Sequence, residues 1–377
     1  MIDSALKLPT IQQPTASTPE QLAKQPCISV SRQMQEKFQR RKLWRRIVAL
    51  LYITVLLTYL SWRYTVINPN SLGLSVAYYI AECIGFILGL KAVFNSWNYN
   101  HRDPLPAPAG LKVDVLLPVY KEPIEIIRRT AMAAKNISYP HRTIILDDGK
   151  RDELKLLAEE LGVDYLRRPT NKNAKAGNLN YGLQNSTADY VTVFDADHIA
   201  LPHALDMMLG FFADEKVAMV QTPQDYYNID AFQYVNAKNG ALWHDQSVFY
   251  GISQPCADSS NAAECVGTGV VYRRSALDKI GGIPTSTVTE DTHTSLCLHK
   301  AGFQTVYINE PVAYGLAAAD LSEYYKTRHR WGFGNLQAMR EENVLFCKGL
   351  SLKQRMHYLF LSVIYLEGWQ QLLIFRL

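Results

Sequence analysis

The segment YVTVFDADH, from Tyr190 to His198, places five mostly apolar residues directly before two aspartates that flank one alanine. The apolar half predicts a buried β-strand that ends at the aspartates. The spacing of Asp195 and Asp197 suits a hard divalent cation such as Mg²⁺ or Mn²⁺. Asp-x-Asp is also common in loops, where it forms a turn followed by a helix cap. The surrounding sequence must therefore decide between a metal site and a turn.

The sequence around this strand alternates between strand-like and helix-like segments. Strands are predicted at 113–120, 142–149, 164–168, 190–197 and 217–224. Helices are predicted at 122–136, 151–162 and from 174 onward. This alternation predicts an α/β domain over residues 111–319, with a mostly parallel sheet covered on both faces. Because ligands bind at the carboxyl ends of such strands, that edge would collect four aspartates: Asp147, Asp148, Asp195 and Asp197.

Two long apolar runs precede this domain. Residues 47–62 contain no charge, and a second apolar run covers 72–90. Each run approaches the length that crosses about 30 Å of hydrocarbon as a helix. We therefore predict two transmembrane helices within residues 34–100, followed by a Pro-rich linker at 101–110. A helical hairpin buried in a soluble core is the alternative, and Glu82 would need a helix partner or water in either case.

The charge pattern and composition indicate where the chain resides. A cluster of basic residues before the first apolar run predicts that the N-terminal side lies in the cytosol. The cluster consists of Arg40, Arg41, Lys42, Arg45 and Arg46. Two crossings return the chain to the cytosol, which predicts a multi-pass protein of the cell inner (plasma) membrane with a cytosolic catalytic domain. The net charge of +4 does not indicate a nucleic-acid partner. Six scattered cysteines do not favour a zinc site or a disulfide framework.

The two ends of the chain differ from the α/β domain. Residues 1–33 are rich in Gln, Pro, Ser and Thr, which predicts a disordered tail. Residues 320–377 predict amphipathic interfacial helices that lead into an incomplete third membrane segment, which Glu367 interrupts.

Several short motifs occur in a particular order. They are DVLLPVYKEP, ILDDGKRDEL, NAKAGNLNYGL, VFDADH, VQTPQDYYN, GTGVVYRRSALDKIGGI, TVTEDTHTSLCLHKAGF and YYKTRHRWGFGNLQ. In this order and spacing, the chain resembles the processive, membrane-bound family-2 glycosyltransferases of the bacterial cellulose synthase type from about residue 45 onward. The resemblance implies a nucleotide-sugar glycosyltransferase domain of the GT-A type, with Mg²⁺ or Mn²⁺ as cofactor. It also implies that the Asp-x-Asp segment binds the metal and the nucleotide.

The resemblance implies a role for each residue that would bind the donor. Tyr120 and Glu122 would border the uridine, and Asp148 would contact the uracil–ribose part as one of two residues assigned to catalysis. Lys175 would neutralise the diphosphate. Asp195 and Asp197 would hold the nucleotide and the metal. Lys121 stands where the family has Asn, so it departs from the family pattern.

The resemblance also implies the residues on the acceptor side. Asp291 would be the catalytic base, and the neighbouring Glu290 would bind substrate. Arg330 would meet the pyrophosphate, and Trp331 would stack against the acceptor sugar. Thr327 stands where the family signature Gln-x-x-Arg-Trp has Gln.

Each of these residues also has an ordinary structural interpretation. Asp291 could stabilise a helix N-terminus, and Asp148 could belong to a turn with Gly149. Trp331 and Tyr325 could form an amphipathic stripe at a membrane surface. The three remaining candidates are His198, Cys265 and His329, and we favour structural roles for all three. Cys265 would be a small packed residue lining the acceptor site.

The chemistry of these residue types suits sugar transfer. A metal, Lys and Arg can stabilise a diphosphate leaving group, and one carboxylate can accept the proton of the attacking hydroxyl. The expected function is transfer of glucose from UDP-glucose to a growing β-glucan. The alternatives are another UDP- or GDP-sugar, or a truncated inactive membrane subunit that binds nucleotide only. The expected partners are a UDP-sugar donor, a glucan acceptor, the lipid bilayer and an accessory synthase subunit, with no nucleic acid.

Overall fold

Two apolar helices form an antiparallel hairpin before the α/β domain. In the computed structural model, which describes residues 32–228, 245–318 and 320–363 with positions 368 and 371, α1 spans Arg32–Thr65 and α2 spans Leu72–Trp97. Both are long and apolar enough to cross a membrane, and only 11% and 6% of their most apolar windows are buried. This exposed apolar surface argues against a hairpin buried in the core of the domain.

Glu82 of α2 has its partners on α1. The Tyr59 hydroxyl donates a hydrogen bond to the Glu82 carboxylate over 2.6 Å, and Arg63 Nε donates another over 3.0 Å. A carboxylate on an apolar helix is costly unless it is paired. The pairing with Arg63 therefore accounts for the one acidic residue in the second apolar run and holds the two helices in register.

A seven-stranded sheet forms the centre of the α/β domain. The ten strands of the described chain are β1 (Val113–Val119), β2 (Arg142–Asp147), β3 (Asp164–Arg167), β4 (Tyr190–Val193), β5 (Ile199–Ala200), β6 (Val217–Gln221), β7 (Asp225–Tyr226), β8 (Val270–Arg273), β9 (Gln304–Tyr307) and β10 (Ala313–Gly315). The large sheet has the order β3-β2-β1-β4-β8-β6-β9, and β5-β10-β7 form a small second sheet. In the large sheet only β8 runs antiparallel to its neighbours, which confirms the mostly parallel arrangement.

Helices cover both faces of the large sheet. Those after the hairpin are α3 (Ile124–Lys135), α4 (Asp152–Leu161), α5 (Ala174–Gln184), α6 (Ala204–Leu209), α7 (Gln254–Asp258), α8 (Arg274–Lys279), α9 (Glu290–Lys300), α10 (Leu321–Glu341) and α11 (Leu352–Val363). One core cluster packs α3, α4 and α6 against one face, and a second packs α5 and α8 against the other. Within β1, Val115 and Leu117 enter the first cluster and Leu116 the second. This alternation explains why the parallel strands read as continuous apolar runs.

The linker predicted at 101–110 has neither helix nor strand and is anchored to the domain. Arg102 Nε and the Asn100 amide both bond the buried carboxylate of Asp258 at the end of α7. These contacts attach the end of the hairpin to the α/β domain.

The predicted disordered tail and the predicted third membrane segment lie largely outside the described residues. This applies to the tail at 1–33, except for Arg32 and Gln33 at the start of α1, and to most of the third membrane segment beyond 363. The boundaries of the five predicted segments of the chain remain predictions.

Candidate active site

A polar cavity of about 580 Å³ opens at the carboxyl ends of β1, β2 and β4. We call it the donor pocket, after the role that the sequence analysis predicts for its residues. Residues that follow the strands meet residues from α5, α9 and α10 on its wall. The structure brings together all ten residues that the sequence analysis selected, and they are Tyr120, Glu122, Asp148, Lys175, Asp195, Asp197, Glu290, Asp291, Arg330 and Trp331. Their roles remain predictions, but their proximity is a property of the fold.

Lys175, in the first turn of α5, connects three parts of the pocket. Its ammonium group lies 2.5 Å from Asp195 Oδ1 and 3.5 Å from Glu290 Oε1, and it donates to the Gly267 carbonyl over 2.9 Å. Burial disfavours the charged form, but attraction to Asp195 and Glu290 outweighs it and raises the pKa of Lys175. The pocket therefore holds a permanent positive charge at the strand edge.

Gly267 lies close to both Lys175 and Asp291. Its φ of +87° lies in the left-handed region that favours glycine. A Cβ atom there would lie 2.9 Å from Asp291 Oδ2 and 3.2 Å from Lys175 Nζ. The backbone thus passes directly between the lysine and the carboxylate, where a side chain would not fit.

Asp291 lies in the first turn of α9 and faces the pocket. Its Oδ1 accepts a hydrogen bond from the Thr292 backbone N–H over 2.8 Å. Burial and the charge of Glu290 raise the pKa of Asp291 to about 7, against the opposing charges of Lys175 and Arg330. A carboxylate with a pKa near neutrality is suited to accept a proton from a hydroxyl group.

Asp195 and Asp197 each keep one carboxylate oxygen free. Lys175 contacts Asp195 Oδ1, and His198 Nδ1 lies 2.7 Å from Asp197 Oδ1. Within the described residues, the other oxygen of each aspartate has no hydrogen-bond partner. Two free carboxylate oxygens in a polar cavity are a donor set that fits Mg²⁺ or Mn²⁺, with phosphate and water completing the coordination. His198 is buried and orients Asp197, consistent with a structural role.

The two neighbouring aspartates at the end of β2, Asp147 and Asp148, make different contacts. Asp147 is fully buried, and its carboxylate accepts hydrogen bonds from the backbone N–H groups of Gly149 and Arg151, which fold the turn. Asp148 lines the donor pocket, where Arg168 donates two hydrogen bonds to it, over 2.5 and 2.6 Å. Arg168 was not among the residues predicted from the sequence. Its place at the end of β3, on the same sheet edge, is the signal that could have found it.

Tyr120 and Glu122 follow β1 at the rim of the pocket. The backbone N–H of Tyr120 donates to Glu122 Oε2 over 2.7 Å, and the ring of Tyr120 is exposed. Lys121 places its ammonium group 4.9 Å from the centre of that ring. The residue that departs from the family pattern therefore contacts the rim rather than the interior of the pocket.

Comparison with known proteins identifies the domain. The model of the glycosyl transferase family 2 matches residues 114–281. The chain is 37% identical over 316 residues to the cellulose synthase catalytic subunit [UDP-forming] of Xanthomonas axonopodis pv. citri, and 40% identical over 250 residues to that of Pseudomonas fluorescens. These matches cover 80% and 65% of this chain. This chain belongs to the family 2 glycosyltransferases.

The matched region spans less than half the length of these relatives. The matched region covers 43% of the Xanthomonas protein and 34% of the Pseudomonas protein. A solved mannosyltransferase from Pyrobaculum calidifontis, in complex with GDP-Man and Mn²⁺, shares the fold with a TM-score of 0.60 and 17% identity. The superposition covers 80% of this chain and 83% of that one. The predicted GT-A fold is confirmed.

A second cavity of the glycosyltransferase, also of about 580 Å³, adjoins the donor pocket. We call it the acceptor cavity, because Trp331, which the sequence analysis predicts to contact the acceptor, lines it. It shares Asp291 and Trp331 with the donor pocket and extends to residues 91–96 of α2 and 357–361 of α11. The Arg328 guanidinium lies 4.6 Å from the ring centre of Trp331. Trp331 therefore lies at the junction of the two cavities. A residue that served only in an amphipathic stripe at a membrane surface would not need this position.

Cys265 lines the acceptor cavity and is buried. Its Sγ lies 2.8 Å from the Tyr272 hydroxyl, and burial raises the pKa of the thiol far above its ordinary value. A thiol that stays protonated is not a nucleophile. This geometry supports the interpretation of Cys265 as a packed residue.

The end of α10 is attached to α9 by a three-residue contact that we call the latch. His293 Nε2 lies 2.9 Å from Glu342 Oε1, and Lys300 Nζ bonds Glu342 Oε2. Burial would raise the pKa of Glu342, but the bonds to His293 and Lys300 outweigh it and lower that pKa. Since α9 carries Asp291 and α10 carries Trp331, the latch holds the two helices that meet at the pocket.

We expect Glu342→Ala to destabilise the protein by roughly 1–3 kcal/mol, because His293 and Lys300 lose a common partner. Thermal unfolding in detergent measures the loss, and Glu341→Ala, an exposed neighbour, is the matched control. The contribution of the latch is present at neutral pH and is lost as the pH falls through the lowered pKa of Glu342. Equal unfolding temperatures for the two variants would contradict the latch.

Proposed function

We propose that this glycosyltransferase moves glucose from UDP-glucose to a growing β-glucan, with inversion at the transferred carbon. The supporting observation is the position of Asp291 on the shared wall of the two cavities, beside Lys175 and near Trp331. A base in this position would lie between the site that binds the diphosphate and the site whose aromatic side chain contacts the acceptor. This is the arrangement that a single displacement requires.

The donor pocket suits a nucleoside diphosphate. The two free oxygens of Asp195 and Asp197 would hold Mg²⁺ or Mn²⁺, and a bound metal would supply positive charge to the phosphate oxygens. Lys175 and Arg330 add fixed positive charge on the same wall. Together these groups stabilise the negative charge that the departing UDP acquires. Tyr120 and Asp148 line the same pocket, where they would contact the uridine.

The acceptor cavity suits a sugar chain. Trp331 offers an aromatic face of the kind that packs against the apolar face of a pyranose ring. Asp291 would take the proton of the attacking hydroxyl group, and inversion needs no second carboxylate to protonate the leaving group. Asp148 is bound by Arg168 and lies on the donor side, so we assign it to nucleotide binding rather than to proton transfer.

The catalytic domain would act at the cytosolic face of the inner membrane. The two exposed apolar helices, α1 and α2, support this location, as does the basic cluster that precedes the first apolar run. The acceptor cavity reaches α2, so a growing chain would leave the site toward the membrane.

The decisive experiment is a screen of radiolabelled UDP-sugars and GDP-sugars with membranes that carry this chain, followed by linkage analysis of the product. We expect incorporation from UDP-glucose and a β-linked glucan. Incorporation from a different nucleotide sugar would keep the reaction type and change the substrate. Nucleotide binding without incorporation from any donor would favour an inactive subunit.

A further inference from the structure

Glu264 is a buried acidic residue on the wall of the acceptor cavity, between α7 and β8. Only 9% of its surface is exposed. Gln254 fixes its backbone on both sides, since the amide donates to the Glu264 carbonyl over 2.9 Å and accepts from its N–H over 3.2 Å. The main chain at this position is therefore held in place independently of the carboxyl group.

The Glu264 carboxyl has no partner of its own. Within the part of the chain that the structure describes, no side chain or backbone group forms a hydrogen bond or an ion pair with it. Burying a carboxyl group without a partner is unfavourable. Because Glu264 lines the acceptor cavity, a polar ligand in that cavity could supply the missing hydrogen bonds.

We propose that the Glu264 carboxyl exchanges hydrogen bonds with hydroxyl groups of the acceptor sugar and so determines how tightly the acceptor binds. This inference rests on the proposed function, because it takes the cavity beside Asp291 and Trp331 as the acceptor site. A buried polar group that lacks a partner favours a ligand carrying matching hydroxyl groups and rejects one that lacks them. Trp331 would provide the aromatic contact, and Glu264 the polar one.

The ionisation of Glu264 suits this role. Burial and the charge of Asp291 raise the pKa of Glu264 to about 8, so that the group is mostly protonated at neutral pH. A protonated carboxyl both donates and accepts, as a sugar hydroxyl does. Above that pH the group loses its proton and its ability to donate.

Three other titratable groups facing this part of the cavity keep one state near neutral pH. Burial raises the pKa values of Tyr250 and Tyr358 well above their ordinary values and lowers that of His357 to about 4. The charged groups are Lys91 from α2 and the ion pair of Arg328 with Asp245. Asp291, with a pKa of about 7, changes its charge in this range.

The test compares Glu264→Gln with Glu264→Leu in the full chain in nanodiscs. Glutamine keeps the shape and both hydrogen-bonding abilities, whereas leucine keeps only the bulk. The probe is a soluble β-linked glucose hexamer, and UDP binding reports that each variant is folded. We expect E264L to bind the hexamer about 10- to 100-fold more weakly, the effect of losing a buried hydrogen bond. E264Q should stay within about threefold of the native protein, since both hydrogen-bonding abilities remain.

The pH dependence of hexamer binding provides the second readout. Native binding should weaken above about pH 8, and E264Q should lack this change, since its amide does not titrate. If E264L fails to bind UDP, this comparison decides the question. Native-like hexamer binding by E264L, or an identical pH profile for E264Q, would overturn the role of Glu264.

A separate measurement keeps this result apart from the proposed function. UDP release from UDP-glucose without added hexamer requires that the glucose pass to glucan already bound or to water, and it tests the reaction itself. Failure of the native chain to release UDP from any sugar donor would reject the proposed reaction. Failure of the native chain to bind the hexamer would reject the role of Glu264, whatever the UDP assay shows.

Discussion

Asp291→Asn reduces sugar transfer by about 10²- to 10⁴-fold and leaves UDP binding unchanged, if Asp291 is the proton acceptor. Asparagine keeps the size of the side chain but cannot accept the proton of the attacking hydroxyl group. Because the pKa of Asp291 is about 7, the native rate should rise as the pH increases through that value, where the carboxylate becomes deprotonated. Transfer from radiolabelled donor, measured together with UDP affinity, checks both effects.

The control for this variant is Asp278→Asn on α8, where the exposed Asp278 pairs with Arg274. This change should leave transfer within about twofold of the native rate, since surface substitutions change little. Transfer by D291N at the native rate would remove Asp291 as the base. Loss of both transfer and UDP binding would instead indicate a disrupted pocket, since Asp291 lies close to Lys175 across Gly267.

Removal of divalent metal is expected to produce the second large effect. In excess chelator, transfer should fall by at least about 10²-fold, because the leaving diphosphate then has only Lys175 and Arg330 to stabilise its charge. Added Mg²⁺ or Mn²⁺ should restore the rate, and comparison of the two ions identifies the preferred cofactor. Asp195→Asn and Asp197→Asn should each raise the metal concentration needed for half of the maximal rate.

Asp164→Asn, at the exposed start of β3, is the matched control for these two variants. It removes a carboxylate from the same sheet at the opposite end of a strand. We expect its metal requirement to equal that of the native protein. Undiminished transfer in excess chelator would reject the metal role of Asp195 and Asp197.

Local sequence patterns predicted the framework of the glycosyltransferase domain. The apolar runs that predicted strands correspond to β1 through β4 and β6, and the predicted helices correspond to α3, α4 and α5. These predictions succeed because a strand buried on both faces reads as a continuous apolar run, whereas a helix with one buried face places apolar residues at a period of about 3.6. The sheet-edge position of Asp148, Asp195 and Asp197 follows from the same pattern.

The acceptor side could not be predicted in this way. Asp291 follows no apolar strand, and only the resemblance to a known family placed it at the site. The antiparallel strand β8 enters between β4 and β6 and carries the preceding loop, with Gly267, against Lys175. The pattern of neighbouring residues predicts neither the insertion of β8 nor the contact between Gly267 and Lys175. Both depend on how strands that are distant in the sequence pair in the sheet.

By itself, the sequence determined the parallel α/β framework, the exposed apolar hairpin and the cluster of carboxylates at one edge of the sheet. Only the tertiary structure decided how those carboxylates differ. Arg168 neutralises Asp148, Lys175 engages Asp195, and burial raises the pKa values of Asp291 and Glu264. The reason is physical: backbone conformation depends largely on nearby residues, whereas the charge state of a side chain depends on burial and on partners distant in the sequence.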